Sequence, residues 1–375
     1  MNCVLVSLND LLIEKINVKL DDEIKNLIKI KLDDLLKSNK ISNRKEIVSL
    51  LYRLKTFEFI RGDNVKKLLI SSKISLNLAE SHVIAIRRGH CGYNKPLKIK
   101  LPIKQTKELA LLLAKTMGDG GISSDLRFHY TNKEYTLITE VIETVSKCIG
   151  ETDFKIWQRR GLYEFKFPSV VGFVLALSGS PVGIKVNNSF KIPDWILNGD
   201  NEIKSYFLRG IFDDEACVNF RKYTRRILFA LAKNEKYKQG LIDMLNSIKI
   251  LLKEFSIDSG DIHFQEKFKN NITMRFAISR IENFKKFCEL IGFTHPKKKT
   301  ILERICTSYT DIHKTQKTIL NLINDNNKQF TAREISDITH FNHDNVYSHL
   351  TNLAKEGKIN KNYNQNLVLW SSISL

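Results

Sequence analysis

The stretch FLRGIFDDEA, residues 207 to 216, ends an apolar segment with three consecutive acids, Asp213, Asp214 and Glu215. Adjacent carboxylates repel one another, and the C-terminal end of a helix already carries the negative pole of the helix dipole. The chain as a whole has the opposite charge, +19 at pH 7 with a pI near 9.5. Acids gathered at one helix end of a basic protein indicate a specific role for this stretch.

The composition excludes several classes of protein. Of the 375 residues, 42% are hydrophobic, which suffices for more than one buried core. The longest apolar runs are far shorter than the roughly 20 residues of a membrane-spanning helix, and the start of the sequence lacks a signal-peptide pattern, so we expect a cytoplasmic protein without membrane contact. Six scattered cysteines with no CxxC pair favour reduced thiols over a zinc ribbon or a disulfide framework. The large positive charge predicts a nucleic-acid partner.

A pattern of elements occurs twice between residues 107 and 290 and predicts two similar units. KELALLLAKTMGDGG opens the first copy and KSYFLRGIFDDEACV opens the second, each as an apolar helix that ends in acid. Two strands, a helix, two strands and a helix follow in both, so each copy reads αββαββα and the fold class is α+β. The predicted repeats span 106–196 and 197–305.

The flanking segments differ from the repeats in composition. Residues 1–80 carry leucine, isoleucine and lysine at helical spacing and predict a helical N-terminal domain. Residues 81–105 hold six basic residues and no acid, which predicts a linker lying against phosphates or a solvated loop. Residues 310–375 predict two helices joined by a turn and then a strand pair, the order of a winged helix-turn-helix that binds DNA or protein.

The opening helix of each repeat ends with an acid, Asp119 in the first copy and Glu215 in the second. Small residues, Ala114 and Gly118 on one helix and Gly210 on the other, predict that the two helices pack closely and bring their C-terminal ends together. Two carboxylates at two negative helix ends are unfavourable unless a cation sits between them. Oxygen-only ligands predict Mg²⁺ or Mn²⁺, which at a phosphodiester activates a water and stabilises the leaving oxygen.

The motifs LLAKTMGDG at 112–120 and LRGIFDDEA at 208–216 resemble the LAGLIDADG homing endonucleases. The resemblance covers roughly half of the chain. It implies two pseudosymmetric halves, a saddle of two β-sheets over DNA, and metal-dependent cleavage of both strands. It also implies that Asp119 and Glu215, at the eighth motif position, bind the metal, and that the carbonyls of Gly118 and Asp214 are further ligands.

The resemblance further implies two lysines near the scissile phosphates. They fall on Lys133 and Lys233, each just before the helix that follows the first hairpin of its repeat. An ammonium group there neutralises charge at the pentacovalent phosphate or polarises the attacking water. Asn132 is expected to orient that water, whereas its counterpart Ala232 has no polar side chain. Asp213 is expected to be a structural or solvated neighbour.

Side chains that read DNA are expected on the strands of the saddle, facing the major groove. Because strand residues alternate between two faces, only about half of any set reaches the DNA. The second helix of the C-terminal unit is expected to contribute as well. The candidates are Arg127, His129, Lys155, Gln158, Arg159 and Lys166 in the first repeat, Asn219, Arg221, Lys222, Arg225, Arg226, Gln265, Lys267 and Arg275 in the second, and Asn342, His343, Asn345 and Ser348 in the C-terminal unit.

Four residues depart from the family motif. Ala216 replaces its last glycine, and Asp214 places a charge at its tightly packed seventh position. Lys115 and Thr116 replace apolar residues of the first helix. These departures act against close helix packing but leave both acids in place.

The leading prediction is a monomeric, two-repeat, metal-dependent DNA endonuclease. We expect it to be freestanding, because neither end of the sequence carries the residues of an intein splice junction. A transcription regulator that binds DNA on a degenerate form of the same scaffold is the main alternative, and an RNA maturase that assists intron splicing is the third. Retention of both acids favours cleavage, since binding alone requires neither.

Overall fold

The computed structural model describes residues 3–38, 41, 43–89, 95–221, 224–307, 312–326, 328–364 and 367–373. Over these residues, its N-terminal part contains five helices together with four strands that the prediction of a helical domain did not include. Three strands form an antiparallel sheet in the order β3-β2-β4, in which Ile16, Val18 and Leu20 of β2 are buried. The elements are β1 (Val4–Val6), α1 (Leu8–Leu11), β2 (Ile16–Leu20), α2 (Asp22–Lys37), α3 (Arg44–Thr56), β3 (Ile60–Arg61), α4 (Gly62–Ser71), α5 (Leu76–Ser81) and β4 (Val83–Arg88).

The structure also corrects the predicted linker at 81–105. Strand β4 belongs to the N-terminal sheet, β5 (Lys98–Ile99) pairs with β9 (Gly150–Glu151) of the first repeat, and β6 (Ile103–Lys104) pairs with β1. The basic residues here alternate with buried apolar ones, Leu97, Ile99 and Ile103, which is the pattern of strands rather than of a solvated loop. One hydrophobic core extends from Val6 to Ile305, so the N-terminal part and both repeats are packed together.

Both repeats have the predicted element order, and their four-stranded antiparallel sheets share one topology. Along each sheet the order, counted over its own four strands, is first, second, fourth, third, with the first at an edge; β9, which pairs with β5, is not part of the first repeat's sheet. The first repeat contains α6 (Lys107–Met117), β7 (Gly120–Ile122), β8 (Phe128–Asn132), α7 (Tyr135–Cys148), β9, β10 (Ile156–Arg159), β11 (Leu162–Lys166) and α8 (Ser169–Leu177). After α9 (Asp194–Leu197), the second contains α10 (Asn201–Glu215), β12 (Ala216–Arg221), β13 (Thr224–Asn234), α11 (Lys238–Glu254), β14 (His263–Phe268), β15 (Asn271–Ile278) and α12 (Ile281–Leu290), and α13 (Pro296–Thr307) follows.

Helices α6 and α10 pack directly against each other at the centre of the molecule. A Cβ added to Gly210 would lie 2.8 Å from the Cβ of Ala114, and one added to Gly118 would lie 2.5 Å from the Cβ of Asp214. Neither position has room for a side chain, so glycine is required at both. The predicted close packing of the two helices is confirmed, and it brings their C-terminal ends together.

Each repeat sheet has one face on the core and one open face. In β15 the residues Ile272, Met274, Phe276 and Ile278 are buried, and those between them are not. This alternation follows from the two-residue period of a strand. The open faces are where any partner of the sheets would bind.

The C-terminal unit has its own core, which includes Ile335, Leu350 and Trp370. The predicted helix, turn, second helix and strand pair are all present, preceded by a helix that the sequence pattern did not indicate. Among the described residues, no helix has both the length and the apolar content that crossing a bilayer requires. The elements are α14 (Ile312–Asn324), β16 (Phe330–Thr331), α15 (Ala332–Thr339), α16 (His343–Lys355), β17 (Asn360–Asn364) and β18 (Leu367–Ser371), with the sheet in the order β16-β18-β17.

Candidate functional site

The two acids stand at the adjoining C-terminal ends of α6 and α10. Asp119 follows the C-cap residue Gly118 and is exposed, whereas Glu215 is the last residue of α10 and is half-buried. Burial, together with the nearby negative charges of Asp119 and Asp214, raises the pKa of Glu215 to about 7 against the opposing charge of Lys185. Burial and the charge of Asp214 raise the pKa of Asp119 to about 6, although its access to water limits this shift. The acids therefore lie within electrostatic reach of one another.

These raised pKa values predict a specific pH dependence of stability. A carboxyl whose pKa is higher in the folded state than in the unfolded state favours folding at low pH, and this contribution is lost as the pH rises through the folded pKa. For Glu215 the loss falls between its ordinary pKa of 4.5 and about 7. We expect the variant Asp119→Asn/Glu215→Gln to be more stable than the wild type at pH 8, by on the order of 1–3 kcal/mol, and nearly equal to it at pH 4. Urea unfolding at the two pH values measures this, and an equal difference at both would contradict the assignment.

Asp214, predicted to offer only its backbone carbonyl, uses its carboxylate to join the two repeats. The side chain is fully buried, and its Oδ1 accepts from the Nζ of Lys115 at 3.0 Å and from the hydroxyl of Tyr130 at 2.7 Å. Its Oδ2 accepts from the backbone N–H of Asp119 at 2.9 Å. The Asp214 carboxylate thus holds the backbone of Asp119 in place.

Lys115 and Asp214, both departures from the family motif, neutralise each other. Burial disfavours the Lys115 charge, but Asp214, Asp213 and Glu140 around it raise its pKa above the usual value, so the ammonium stays protonated. Thr116 is satisfied as well, because its hydroxyl bonds to the Leu113 carbonyl at 2.7 Å. The expectation that these departures weaken helix packing is therefore wrong.

Asp213 has a structural role, one of the two expected for it. Its side chain is fully buried and accepts from the backbone N–H groups of Thr294, at 3.1 Å, and His295, at 2.9 Å. These amides precede α13, so Asp213 ties the start of that helix to the end of α10. A charge buried in this way is engaged by backbone donors and is not available to a metal.

Two lysines at the site were missed from the sequence, Lys185 and Lys298. The Nζ of Lys185 donates to the carbonyls of Met117, at 3.1 Å, and Gly118 at the end of α6. The Nζ of Lys298 donates to the carbonyls of Phe212, at 3.3 Å, and Asp213 near the end of α10. Each ammonium thus lies at the negative end of one central helix, where a cation is favourable.

The two missed lysines occupy matching places in the chain. Lys185 lies soon after α8, the last helix of the first repeat, and Lys298 lies soon after α12, the last helix of the second. Burial lowers the pKa of both, against the charges of Asp119 and Asp214. A comparison of the two repeats extended past their last helices would have indicated Lys185 and Lys298 as a matching pair.

The two acids supply part of a binding site for a divalent cation. Mg²⁺ is commonly held by one or two carboxylates and completes its shell with water and phosphate oxygens, which Asp119 and Glu215 allow. Within the described residues there is no group of three histidine, cysteine, aspartate or glutamate side chains that would enclose a metal. The Gly118 carbonyl, predicted as a ligand, accepts from Lys185 and keeps only its second lone pair.

Lys133 and Lys233, predicted as a matched pair, lie in different environments. Lys133 is exposed, whereas Lys233 is buried. The Nζ of Lys233 donates to the carbonyls of Lys185 and Asn188, the latter at 3.1 Å, and lies 3.6 Å from the centroid of the Phe190 ring. Lys233 therefore holds the segment that carries Lys185, instead of pointing to solvent as Lys133 does.

Strand register explains why the two lysines differ. The residue after each acid pairs with Tyr130 in the first sheet and with Phe229 in the second. Lys133 follows Tyr130 by three positions, whereas Lys233 follows Phe229 by four. Because strand side chains alternate, the two lysines therefore fall on opposite faces of their sheets. A shift of one residue reverses the face on which a strand side chain lies.

Asn132 contacts the acid of its own repeat. Its Nδ2 donates to the Oδ2 of Asp119 at 2.8 Å, and its Oδ1 accepts from the backbone N–H of Glu134 at 2.9 Å. By the same register its counterpart in the second repeat is Leu231, not Ala232. One acid therefore has a polar partner on its strand, and the equivalent position beside the other is apolar.

Cross-strand pairing sorts the DNA-binding candidates of the first repeat. His129 pairs with Lys166, and both lie on the open face because their neighbours Tyr130 and Phe165 are buried. By the same alternation the open face includes Arg159 and, just before their strands, Arg127 and Lys155, whereas Gln158 falls on the opposite face.

The second repeat divides in the same way. Asn219 pairs with Arg226 on the open face, which also carries Arg275. Arg225 lies on the other face, with its guanidinium 5.5 Å from the Phe220 ring centroid. Arg221 is at an open-face position, although its side chain is not described, and Lys222 lies outside the described residues. Gln265 occupies a bulge in β14, and Lys267 pairs across from buried Ile272.

In the C-terminal unit the predicted residues have two different roles. Asn345 and Ser348 are exposed on α16, opposite its buried face. The side chain of Asn342 accepts from the backbone N–H groups of Asp344 and Asn345 and caps the helix, so its oxygen has a structural role. His343, partly exposed, lies beside Asp344 at the same end of the helix.

No family model matches the chain. It is 31% identical over 212 residues to the tRNA-splicing ligase RtcB of Methanopyrus kandleri, a match that covers 51% of this chain and 21% of the ligase. It is 25% identical over 272 residues to a glutamine--fructose-6-phosphate aminotransferase of Methanocaldococcus jannaschii, covering 71% of this chain and 23% of the aminotransferase. The chain thus spans less than a quarter of the length of these curated relatives.

Solved structures show likeness at low identity. The homing endonuclease I-DmoI, in complex with DNA and Ca, matches with a TM-score of 0.37 and 15% identity, over 53% of this chain and 98% of that one. Full-length DUF199/WhiA from Thermatoga maritima matches with a TM-score of 0.34 and 15% identity, over 67% of this chain and 91% of that one. At these scores the likeness defines neither a family nor an activity for the chain.

Proposed function

We propose that the chain is a site-specific, metal-dependent endonuclease that cleaves both strands of duplex DNA. The observation that carries this proposal is the pair of acids, Asp119 and Glu215, held at the adjoining ends of two closely packed helices with their pKa values raised. With a pKa of about 6, Asp119 is mostly ionised at neutral pH, whereas Glu215, with a pKa of about 7, loses its proton only as the pH rises through neutrality, and each carboxylate can then bind a hard cation. The positive charge of the chain and the two open sheet faces support duplex DNA as the substrate.

In this proposal the chain's own groups bind, orient and neutralise. The open-face residues of both sheets position the duplex, which lies over the sheets as over a saddle. Asp119, oriented by Asn132, and Glu215 would hold the cation, Mg²⁺ or Mn²⁺, and the chemistry it would supply is activation of water and stabilisation of the leaving oxygen. The ammonium groups of Lys185 and Lys298 lower the charge repulsion between the helix ends and the incoming phosphates.

A selection experiment tests the proposal. The protein is first used to enrich duplexes that it binds from a long random library, and the enriched duplexes are then incubated with Mg²⁺ or Mn²⁺. We expect cleavage of both strands at a defined position by the wild type, and cleavage lower by on the order of a thousandfold with Asp119→Asn or Glu215→Gln. Specific binding with no cut or nick in either metal would contradict the nuclease and leave a DNA-binding protein.

That DNA-binding protein, a regulator without cleavage, is the second candidate. It is favoured by Lys185 and Lys298, because two internal ammonium groups already stabilise the helix ends and the fold needs no metal. The C-terminal unit, proposed as a winged helix-turn-helix, suits either role through Asn345 and Ser348. A structured intron RNA added as competitor tests the third candidate, a maturase, which requires RNA to bind better than duplex DNA.

The activities named for the curated relatives are not part of this proposal. The ligase and the aminotransferase catalyse unrelated reactions by name, and this chain covers less than a quarter of each. The chain is proposed to act as a monomer, which sedimentation of the purified chain would test.

Two neighbouring arginines provide a matched test of the proposed DNA-binding faces. Arg226 lies on the open face and Arg225 on the opposite one. We expect Arg226→Ala to weaken DNA binding by about tenfold and to reduce the slope of log affinity against log salt by about 1, as loss of one phosphate contact does. Arg225→Ala should leave both quantities nearly unchanged. Anisotropy titrations at several salt concentrations measure the effect, and equal losses for the two variants would refute the assignment of faces.

A further inference from the structure

A tryptophan lies on the largely polar open face of the first sheet, which also carries Leu162. Trp157, in β10, pairs with Glu164 of β11, which is two positions from Lys166 on the same strand. This register puts Trp157 on the face that carries Arg159 and His129. Its side chain is 46% exposed, and no other aromatic ring of the described residues packs against it.

The other two tryptophans of the chain have structural roles that Trp157 lacks. Trp195 donates its Nε1 hydrogen to the Ser178 carbonyl at 3.1 Å, and Trp370 is fully buried in the C-terminal core. Among the residues that the structure describes, Trp157 belongs to no buried core and covers no neighbouring ring. An indole exposed at this position therefore requires another explanation than packing within the chain.

The surroundings of Trp157 fit a polyanion with an apolar group at its centre. Lys155 and Arg159 lie two residues before and after it, on the same face, and Lys166 lies close by on the neighbouring strand. Cations on both sides of an apolar ring suit the phosphates on the two sides of a DNA groove. In the major groove, the 5-methyl group of thymine is the apolar feature that a ring can contact.

We propose that Trp157 contacts the 5-methyl group of a thymine and so makes the protein prefer thymine at one position of its target. The inference rests on the proposed binding of duplex DNA but not on cleavage. It adds an apolar reader to a surface whose other candidates are all polar. A face-on stack of the indole against an unpaired base is the different outcome that the experiment separates from it.

Replacing thymine by uracil removes only the methyl group, which makes the experiment specific. In the duplex selected as above, each thymine is replaced singly by deoxyuridine, and the affinity of the full-length protein is measured by anisotropy. We expect one position at which the replacement weakens wild-type binding by about fourfold, the value of one buried methyl group. Trp157→Ala should lose this discrimination, and Trp157→Phe should keep most of it.

Ile156 provides the matched control. It precedes Trp157 on the same strand, is 37% exposed and faces the other side of the sheet, so Ile156→Ala should leave the thymine effect unchanged. Wild-type binding that is insensitive to every uracil replacement would overturn the inference and leave the proposed DNA binding standing. A Trp157→Ala variant that weakens thymine and uracil duplexes equally would overturn the methyl contact in favour of a stack. Failure of the wild type to bind any duplex would overturn both this inference and the proposed function.

Discussion

Replacing either acid, by Asp119→Asn or Glu215→Gln, is expected to reduce DNA cleavage by on the order of a thousandfold while DNA affinity falls little or rises slightly. A neutral amide keeps the shape of the side chain but cannot hold a divalent cation. Affinity is expected to persist because it comes from the open sheet faces, and loss of a negative charge near phosphates favours binding. Conversion of a plasmid that carries the selected site measures cleavage, and anisotropy measures DNA affinity, so the two quantities are determined separately.

The matched control for this prediction is Asp125→Asn. Asp125 is an exposed acid in the first repeat and forms an ion pair with Arg127 at 3.0 Å. It is not one of the acids at the helix ends. Its replacement should leave the cleavage rate nearly unchanged. Cleavage that survives both Asp119→Asn and Glu215→Gln would refute the proposed site, and a parallel loss of binding would assign the acids a structural role.

Removing the buried ammonium of Lys115 is expected to have the largest effect on stability. Lys115 has no exposed surface and lies 3.0 Å from Asp214 and 3.7 Å from Asp213. Lys115→Met leaves two buried carboxylates without their cation, a change that costs about 3–5 kcal/mol in proteins. The same variant also removes one of the charges that lower the pKa of Asp119. Urea unfolding at pH 7 measures the loss.

A second variant keeps this prediction specific to the ion pair. Lys115→Met/Asp214→Asn removes both charges. Its amide oxygen still accepts from the Asp119 N–H group and its NH2 group donates to the Tyr130 hydroxyl, so we expect it to recover a large part of the stability. Lys107→Met, which breaks the exposed pair of Lys107 with Glu202 at 2.9 Å, should have a much smaller effect than Lys115→Met. A double variant no more stable than Lys115→Met would contradict the pairing of the two charges.

The local part of the site was predictable from sequence. The small residues on α6 and α10 predicted their close packing, because only glycine avoids a clash where two helix backbones meet, as Gly210 does against Ala114. The position of Asp119 and Glu215 followed from the ends of the same helices. Both are short-range features, since a helix repeats regularly and its residues determine its own faces.

The predictions that failed depended on partners far apart in the chain. Lys115 appeared unfavourable within its helix, and its partner Asp214 lies 99 residues away. The basic segment 81–105 appeared to be a linker because its lysines dominate the composition, whereas its alternating apolar residues complete sheets formed with strands elsewhere. Such contacts are not visible in any window of the sequence.

The sequence by itself therefore determined the order of helices and strands, the glycine contact between α6 and α10, and the acids at the ends of these helices. Helical and strand periods are local, so each can be recognised from its own residues. Only the tertiary structure decided which charges neutralise one another, that Lys185 and Lys298 reach the helix ends, and that Lys133 and Lys233 are not equivalent. The physical reason is that strand register and long-range packing choose the face and the partner of a side chain, and a shift of one residue reverses the result.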